Sequence, residues 1–185
     1  MSVRLVIGLF IVKTLLFVSN LFPRPDAPRR GQFNLAFVAA MHTRLSESGG
    51  TVHVVVPVPE RRIWRWRAIR RWTLPPEAAD SLSKKALVIY LPCFHIPVFG
   101  RSLSDLWCFG ALLAIVPSVR QFDCILASWL YPDAVAASRL ATRLGKPYWV
   151  RLHGSDRFHL DAVFRGRRCR RVMANAEGIL VNGHS

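Results

Sequence analysis

Short, uninterrupted apolar runs recur along this chain, and segments with helical spacing separate them. A strand that is apolar at successive positions is buried on both faces, as in a parallel sheet covered by helices. Between the runs, apolar side chains return every three or four positions, as in residues 33–45. This alternation predicts an α/β fold with a doubly wound, mostly parallel, Rossmann-like sheet. The predicted strands are residues 13–19, 51–56, 86–91, 123–128, 148–152 and 178–181.

One predicted helix differs from the others in its pattern. Residues 106–116 are apolar on nearly all sides. A helix with no polar face is buried all round, so we expect this one to be covered on both sides.

The composition supports a single folded domain. The chain has 185 residues, 51% of them hydrophobic, which is too apolar for disorder despite a formal net charge of +15. Residues 1–12 form an apolar extension whose uninterrupted stretches are much shorter than the roughly 20 residues of a membrane-spanning helix. We expect this extension to be loosely ordered, with an uncleaved amphipathic anchor as the alternative. Residues 13–185 are then the domain.

Several familiar kinds of site are absent from the sequence. The four cysteines are widely spaced, with no Cys-x-x-Cys pair, which fits neither a disulfide framework nor a zinc site and predicts a reducing compartment. There is no Gly-x-Gly-x-x-Gly, no Gly-x-x-x-x-Gly-Lys-[Ser/Thr] and no Gly-x-Ser-x-Gly. These absences argue against a dehydrogenase, a P-loop NTPase and a serine hydrolase, and we expect no metal.

The loop after the first predicted strand is a candidate anion site. Ligands of open parallel sheets bind at the carboxyl ends of the strands. This loop ends in Arg29, Arg30, Gly31 and Gln32 at the start of a helix, where guanidinium groups and free backbone N–H groups can hold a phosphate. The alternative is a proline-stiffened connector with solvated arginines.

A second candidate site follows the strand at residues 148–152. His153 comes directly after this strand, Gly154 allows a sharp turn, and Asp156 can cap the next helix. Gly154, Ser155 and Asp156 are the candidate substrate contacts of this loop. A histidine here faces the crevice with a pKa close to neutral pH. The alternative is a hydrogen-bonded structural histidine.

Residues 60–72 carry the densest mixture of arginine and tryptophan in the chain. We expect this stretch to lie on the surface, because Glu60 is the one local counter-charge for six arginines. Indole and guanidinium groups together suit an anionic membrane surface. The alternative is that the tryptophans point inward from a solvated face, and nucleic acid is not an expected partner. The candidate contacts are Arg61, Arg62, Trp64, Trp66, Arg67 and Trp72.

Two segments carry a resemblance to a known family. Residues 126–133 (LASWLYPD) and 145–156 (GKPYWVRLHGSD), with the first strand and the Arg30-Gly31-Gln32 loop, resemble the N-terminal domain of GT-B glycosyltransferases of family 4. The resemblance covers residues 13–185. It implies one half of a GT-B architecture, truncated before the end of its first domain, without the donor-binding C-terminal domain.

The resemblance also implies a function. It implies a retaining, hexosyl-type transfer from a nucleotide sugar to a glycan or lipid-linked acceptor in bacterial surface polysaccharide or glycolipid synthesis. His153 would be the catalytic histidine, and Gly31 would approach the donor phosphates. The donor is a substrate, and no further cofactor is expected.

The same resemblance implies how the half-protein works in the cell. The chain alone would be inactive and would need a donor-binding domain or partner chain. Its location would be cytoplasmic, with peripheral contact at the inner face of the plasma membrane. The alternative function is a non-catalytic basic module that docks on an anionic membrane surface.

Overall fold

A six-stranded parallel sheet forms the centre of the protein. The computed structural model describes residues 6–7, 10–82, 86–96, 102–115 and 122–181. The strand order is β5-β4-β3-β6-β7-β8, so the order reverses between β3 and β6. These strands are β3 (Thr14–Val18), β4 (Thr51–Glu60), β5 (Leu87–Phe94), β6 (Cys124–Ser128), β7 (Tyr148–Leu152) and β8 (Gly178–Val181).

Helices cover both faces of this sheet, as the doubly wound prediction requires. Alternate residues of β3 point to opposite faces, with Leu16 in one apolar cluster and Phe17 in the other. The Leu16 cluster takes side chains from α4, α5 and α7, and the Phe17 cluster takes them from α1, α2 and α3. The helices are α1 (Gln32–Ser46), α2 (Trp66–Ile69), α3 (Pro76–Ala79), α4 (Ser104–Ile115), α5 (Val135–Leu144), α6 (Arg157–Leu160) and α7 (Val163–Asn175).

Strands β4 and β5 extend beyond their predicted ends and include prolines. The pairing of β3 with β4 ends at Val18 opposite Val55, so beyond this point β4 pairs only with β5. Strand β5 is itself the edge of the sheet. A proline lacks the N–H that a strand with two neighbours needs, but a strand paired on one side tolerates it. Pro57 and Pro92 therefore lie inside strands, where the sequence predicted strand ends.

Helix α4 is covered on one side only, so the expectation of a helix covered on both sides is wrong. It buries Cys108 and Leu112 against the sheet, while Leu106 and Trp107 are exposed on its outer side. The apolar outer face made the helix look buried in the sequence. The end of the predicted helix, at residue 116, lies outside the described residues.

The described part of the predicted N-terminal extension forms a small ribbon. Strands β1 (Val6–Ile7) and β2 (Phe10–Ile11) pair in antiparallel fashion, apart from the main sheet. Among the described residues, no helix is long and apolar enough to cross a membrane. All four cysteines are buried free thiols.

Candidate functional site

Polar side chains meet at the carboxyl edge of the sheet, where the strand order reverses. Ser19 follows β3, Ser128 ends β6, and His153 follows β7. These three strands are neighbours in the sheet. Parallel strands end at the same edge, and the reversal leaves a crevice there in which ligands bind.

Asn34, on the first turn of α1, joins these strand ends. Its Nδ2 donates to Ser19 Oγ at 3.0 Å and to the Leu21 carbonyl at 2.7 Å. Its Oδ1 accepts from Ser128 Oγ and from Arg151 Nη1, both at 2.9 Å. The Asn34 side chain is fully buried, so one amide ties the ends of three strands together.

The hydrogen bonds of Asn34 assign the tautomer of His153. The Leu21 carbonyl can only accept and the Arg151 guanidinium can only donate, so the Asn34 amide has one orientation. The Ser128 hydroxyl then donates its proton to Asn34 Oδ1. Its oxygen accepts from His153, whose Nε2 lies 2.9 Å away. His153 therefore carries a proton on Nε2.

Aromatic rings hold the His153 imidazole. It stacks on Trp129 with the ring centroids 4.7 Å apart, and the Phe33 ring meets it edge-on at 5.2 Å. Partial burial lowers the pKa of His153, and the charge of Arg151 lowers it further, against a weaker opposing effect of Asp156. The imidazole is therefore neutral at neutral pH.

The backbone at Trp129 is strained where it places this ring. Its φ of 89° lies in a region that residues with a side chain rarely adopt. Its N–H donates to the Arg151 carbonyl at 3.2 Å, which anchors the turn to β7. Such strain is typical of functional sites and persists where the surrounding structure over-determines it.

Arg151 is a charged residue inside a buried strand. It is 7% exposed, and its guanidinium lies 4.1 Å from the centroid of the Phe37 ring. Burial lowers the pKa of Arg151. Its position beside Ser128 in the β6–β7 register brings the charge to the site.

The predicted site residues of the His153 loop differ in how exposed they are. Gly154 and Ser155 are exposed at the carboxyl edge. Asp156 is buried instead, and its two oxygens accept the N–H groups of His153 at 2.8 Å and Leu130 at 3.0 Å. Asp156 therefore positions the loop, a correction to its predicted role in direct substrate contact.

Gly31 begins helix α1 in a conformation that requires glycine. Its φ is +68°, and a Cβ at this position would collide with the backbone of Leu21. Arg29, Arg30 and Gln32 are exposed beside it, and Gln32 Nε2 donates to the Pro28 carbonyl at 2.8 Å. The Asn34 N–H donates to the Gly31 carbonyl at 2.9 Å, so the N–H groups of Gln32 and Phe33 are the first-turn donors that precede the intrahelical hydrogen bonds.

A buried carboxyl group lies close to this loop. Asp133 precedes α5, and its Oδ2 accepts the N–H of Asn20, the second residue after β3, at 2.7 Å. Its Oδ1 has no hydrogen-bond partner among the residues that the structure describes. Burial raises the pKa of Asp133 to about 8, although the Asn20 N–H and the charge of Arg30 act in the opposite direction.

Two small cavities flank the network. One of about 180 Å³ lies between the ends of β4 and β5 and the Tyr131-Pro132 segment, and apolar side chains form most of its wall. His159 and Arg165 also line it. The other, of about 210 Å³, lies beside His153 and includes Leu130 and Leu152. No group of three metal-ligating side chains occurs within the described ranges.

The basic segment lies on the surface, but its tryptophans differ. Trp64 is 77% exposed, whereas Trp66 and Trp72 are half-buried, and Trp72 packs edge-on against Tyr90 at 5.9 Å. Arg61 and Arg67 are exposed, as predicted. Arg62 is also exposed, and its Nε lies 3.2 Å from Glu60 Oε1. Trp64 therefore points outward, as the membrane prediction requires, whereas Trp66 and Trp72 are partly turned inward, as the alternative predicted.

Sequence reasoning missed the residues that connect the site. The sequence did contain a signal for Arg151, because a charged residue inside an otherwise apolar strand usually has a structural or functional role. Ser128 ends a buried strand, which is a weaker signal. Asn34 had none, since a polar residue near the start of a helix is ordinary and its burial depends on β3 and β6.

Known structures share this arrangement of strands and helices. The sequence matches no protein-family model and no curated protein. The Arabidopsis thaliana protein UGT89C1 complexed with UDP matches with a TM-score of 0.56 at 12% identity, over 92% of this chain and 43% of that chain. Complexed with UDP-L-rhamnose, it matches with a TM-score of 0.53 at 15% identity, over 93% and 45%.

A more distant match, to the MAR1 ribonuclease from Caenorhabditis elegans, has a TM-score of 0.43 at 9% identity, over 91% of this chain and 76% of that chain. The two matches to UGT89C1 confirm the predicted fold, a Rossmann-like α/β domain of the GT-B type. This chain spans less than half the length of the chains in those two structures.

Proposed function

We propose that this chain is the acceptor-binding half of a glycosyltransferase that uses a nucleotide sugar. The observation that carries the proposal is the network of Asn34, Ser128, Arg151 and His153 at the reversal of a GT-B-type sheet. It places a neutral imidazole and a buried cation at the edge where such sheets bind ligands. The matched structures hold UDP and UDP-L-rhamnose, which supports a nucleotide sugar as donor.

The donor phosphates bind across the crevice from the start of α1. Gly31 lets the chain turn tightly there, and the N–H groups of Gln32 and Phe33 with Arg29 and Arg30 offer donors and positive charge. Gln32 shares this edge, although its side-chain amide already donates to Pro28. Direct charge pairing by an arginine supplements the backbone contacts.

His153 is the catalytic residue in this proposal, and it acts as a neutral group. A protein that stabilises an oxocarbenium-like sugar works mainly by positioning and electrostatics. The Nε2 proton of His153 is held by Ser128, and Trp129 and Phe33 fix the ring plane. Gly154 and Ser155, exposed on the same loop, are the neighbouring substrate contacts, and the acceptor occupies the apolar cavity at the ends of β4 and β5.

The reaction type, the acceptor and the location in this proposal follow from the resemblance to glycosyltransferases of family 4. We propose a retaining, hexosyl-type enzyme that requires no metal and acts on a glycan or lipid-linked acceptor in bacterial surface polysaccharide or glycolipid synthesis. A donor-binding domain or partner chain completes the cleft. The location is cytoplasmic, with peripheral contact at the inner face of the plasma membrane.

A chimera with a family 4 donor-binding domain tests the proposal. The chain alone is expected to transfer no sugar from any nucleotide sugar, because half of the cleft belongs to the second domain. The chimera should gain activity, and His153→Ala should lower its kcat by about 100-fold or more. The control Thr43→Ala, at an exposed position of α1, should leave kcat unchanged.

Two results would count against this function. Turnover by the isolated chain above the level of its His153→Ala variant would show that no second domain is needed. An unchanged kcat for His153→Ala in an active chimera would reduce the histidine to a structural role.

A second candidate function is a basic module that docks on an anionic membrane. The observation that favours it is the exposed pair Ile63 and Trp64, 66% and 77% exposed, among the arginines of residues 61–71. Apolar side chains at this exposure beside cationic ones suit the headgroup region of a membrane. This contact is also compatible with the glycosyltransferase proposal, since it would present a lipid-linked acceptor.

A further inference from the structure

A groove of about 720 Å³ lies between α5 and α7, away from the candidate site. Thr142 and Arg143 on α5 and Arg171 and Asn175 on α7 contribute to its wall, together with Tyr148 at the start of β7. Helices of a parallel sheet run back from the carboxyl edge, so the second halves of α5 and α7 lie toward the amino edge. Arg143 and Arg171 therefore lie at the end of the groove toward the amino edge, and Val135, Arg139 and Arg168 extend the groove along the first halves of the helices.

Positive charge dominates this groove. Its arginines are Arg139, Arg143, Arg168 and Arg171. Arg139 and Arg168 share the buried carboxylate of Asp105, with Nη2–Oδ2 and Nη1–Oδ1 distances of 3.1 and 2.5 Å. Arg143 and Arg171 are exposed, and in the described part of the chain neither has an acidic side chain within ion-pair distance.

The hydroxyl groups in the groove have already committed their protons. Ser138 donates to the Val135 carbonyl at 3.0 Å, and Thr142 donates to the Ser138 carbonyl at 2.9 Å. Tyr148 donates to the Val172 carbonyl at 2.8 Å. A hydroxyl has one proton, so these groups can only accept from a ligand. The guanidinium groups and the second Nδ2 proton of Asn175, whose first proton goes to the Arg171 carbonyl at 2.7 Å, are the donors left for a ligand.

One acidic residue lies close to the wall of the groove. Glu177 is near enough to Tyr148 for its charge to contribute to the raised pKa of that hydroxyl, with burial as the larger cause. Together with Asp105 it offsets part of the positive charge. Four arginines against these two carboxylates still leave an excess of positive charge.

We propose that this groove binds a phosphate-bearing anion through Arg143 and Arg171. Guanidinium groups hold phosphate oxygens with paired, charge-assisted hydrogen bonds. Asp105 orients Arg139 and Arg168, which add charge beside the contact. The groove has the size of small-molecule sites, which are roughly 300–1,000 Å³, so it suits a diphosphate or a phosphate on a larger group. This inference does not rest on the proposed function, because its two contact residues, Arg143 and Arg171, line neither of the cavities beside the candidate site.

Titration calorimetry with inorganic pyrophosphate tests the groove. The variant is Arg143→Gln with Arg171→Gln, and the matched control is Arg44→Gln with Arg167→Gln, which removes the same charge at exposed positions outside the groove. We expect about tenfold weaker binding or more in the groove variant and less than about a twofold change in the control. Arg143→Lys with Arg171→Lys keeps the charge but not the paired geometry, and should be intermediate. Thermal unfolding establishes that all variants are folded.

Flotation with vesicles of phosphatidylcholine and phosphatidylglycerol distinguishes two sources of the anion. If the source is a lipid headgroup, the groove variant loses flotation relative to the control. If the source is a soluble compound, flotation is the same for both variants while pyrophosphate binding still depends on the groove. The proposal is overturned if the groove variant binds pyrophosphate and vesicles as strongly as the wild type does. It is also overturned if neither protein binds pyrophosphate or vesicles.

Discussion

At the scale of single residues, the candidate site depends on one buried amide. Asn34 donates to a carbonyl and to the Ser19 hydroxyl, and it accepts from the Ser128 hydroxyl and a guanidinium. Its removal takes one hydrogen-bond partner from each of these groups, and a buried polar group that loses a partner costs more than the hydrogen bond itself contributes.

The variant Asn34→Ala is expected to lower the free energy of unfolding by about 2–4 kcal/mol. The loss arises because Ser128 and Arg151 keep their buried positions without the Asn34 oxygen. Urea unfolding measures it. The control Thr43→Ala, on the exposed side of the same helix, should change it by less than about 0.5 kcal/mol. Equal effects at both positions would show that the network adds little to stability.

Asp133 predicts a pH dependence of stability. Its pKa is about 8 in the folded protein, against an ordinary value of 3.8, so between these values the folded state binds the extra proton. This stability is complete below about pH 4 and is lost as the pH rises through about 8.

The variant Asp133→Asn removes that titration and keeps an acceptor for the Asn20 N–H. We expect the free energy of unfolding of the wild type to fall more steeply than that of the variant between about pH 5 and pH 8, by a few kcal/mol. Urea unfolding at both pH values measures the difference. An exposed carboxyl, changed as Asp161→Asn, controls for net charge. Parallel pH profiles for wild type and Asp133→Asn would contradict the raised pKa.

At the scale of elements, the turn into α1 depends on the absence of a side chain. Gly31 and Gly49 both have a positive φ, of 68° and 76°. A Cβ at Gly31 would collide with the Leu21 backbone, whereas a Cβ at Gly49 meets no atom within 4 Å. The two glycines share the same conformational strain and differ in the space around them.

The variant Gly49→Ala is expected to cost about 1 kcal/mol in the free energy of unfolding, from the left-handed conformation alone. Gly31→Ala should cost on the order of 3 kcal/mol or more, because the Leu21 segment must also move. Chemical unfolding of the two variants side by side measures the difference. Similar costs would mean that the loop before α1 moves easily and is a poor platform for a phosphate.

At the scale of the whole molecule, exposed apolar side chains are distributed unevenly. Trp64 and Ile63 follow the carboxyl end of β4, and Phe158 and Phe164 follow that of β7. Arginines flank both pairs, and the first pair, which lies among the six arginines of residues 60–72, is the membrane contact that we propose.

Liposome flotation at physiological salt tests the membrane contact. We expect Ile63→Ser with Trp64→Ala to lose most binding to anionic vesicles, because these two side chains are free to enter the headgroup region. The control Phe158→Ala removes an aromatic ring that is 63% exposed outside the segment, and should bind as the wild type does. Equal binding by all three proteins, or binding by none, would exclude this segment as the contact.

Local patterns were enough to predict most elements. The strands at residues 148–152 and 178–181 have the predicted bounds, and α5 ends at Gly145 in a left-handed conformation, as glycine past a helix predicts. These features depend on neighbouring residues and on burial on both faces, which the sequence displays directly. Local patterns did not predict that β4 continues through Pro57, because that depends on which strands lie beside β4 at this point.

The sequence by itself determined the fold class and the two loops that reach the carboxyl edge, since strand and helix periods are local properties. Only the tertiary structure decided what those loops do together. Asn34, Ser128 and Arg151 lie far apart in the chain and become one network because β3, β6 and β7 are neighbours in the sheet. The tautomer of His153 and the raised pKa of Asp133 follow from that contact and burial, which no local pattern encodes.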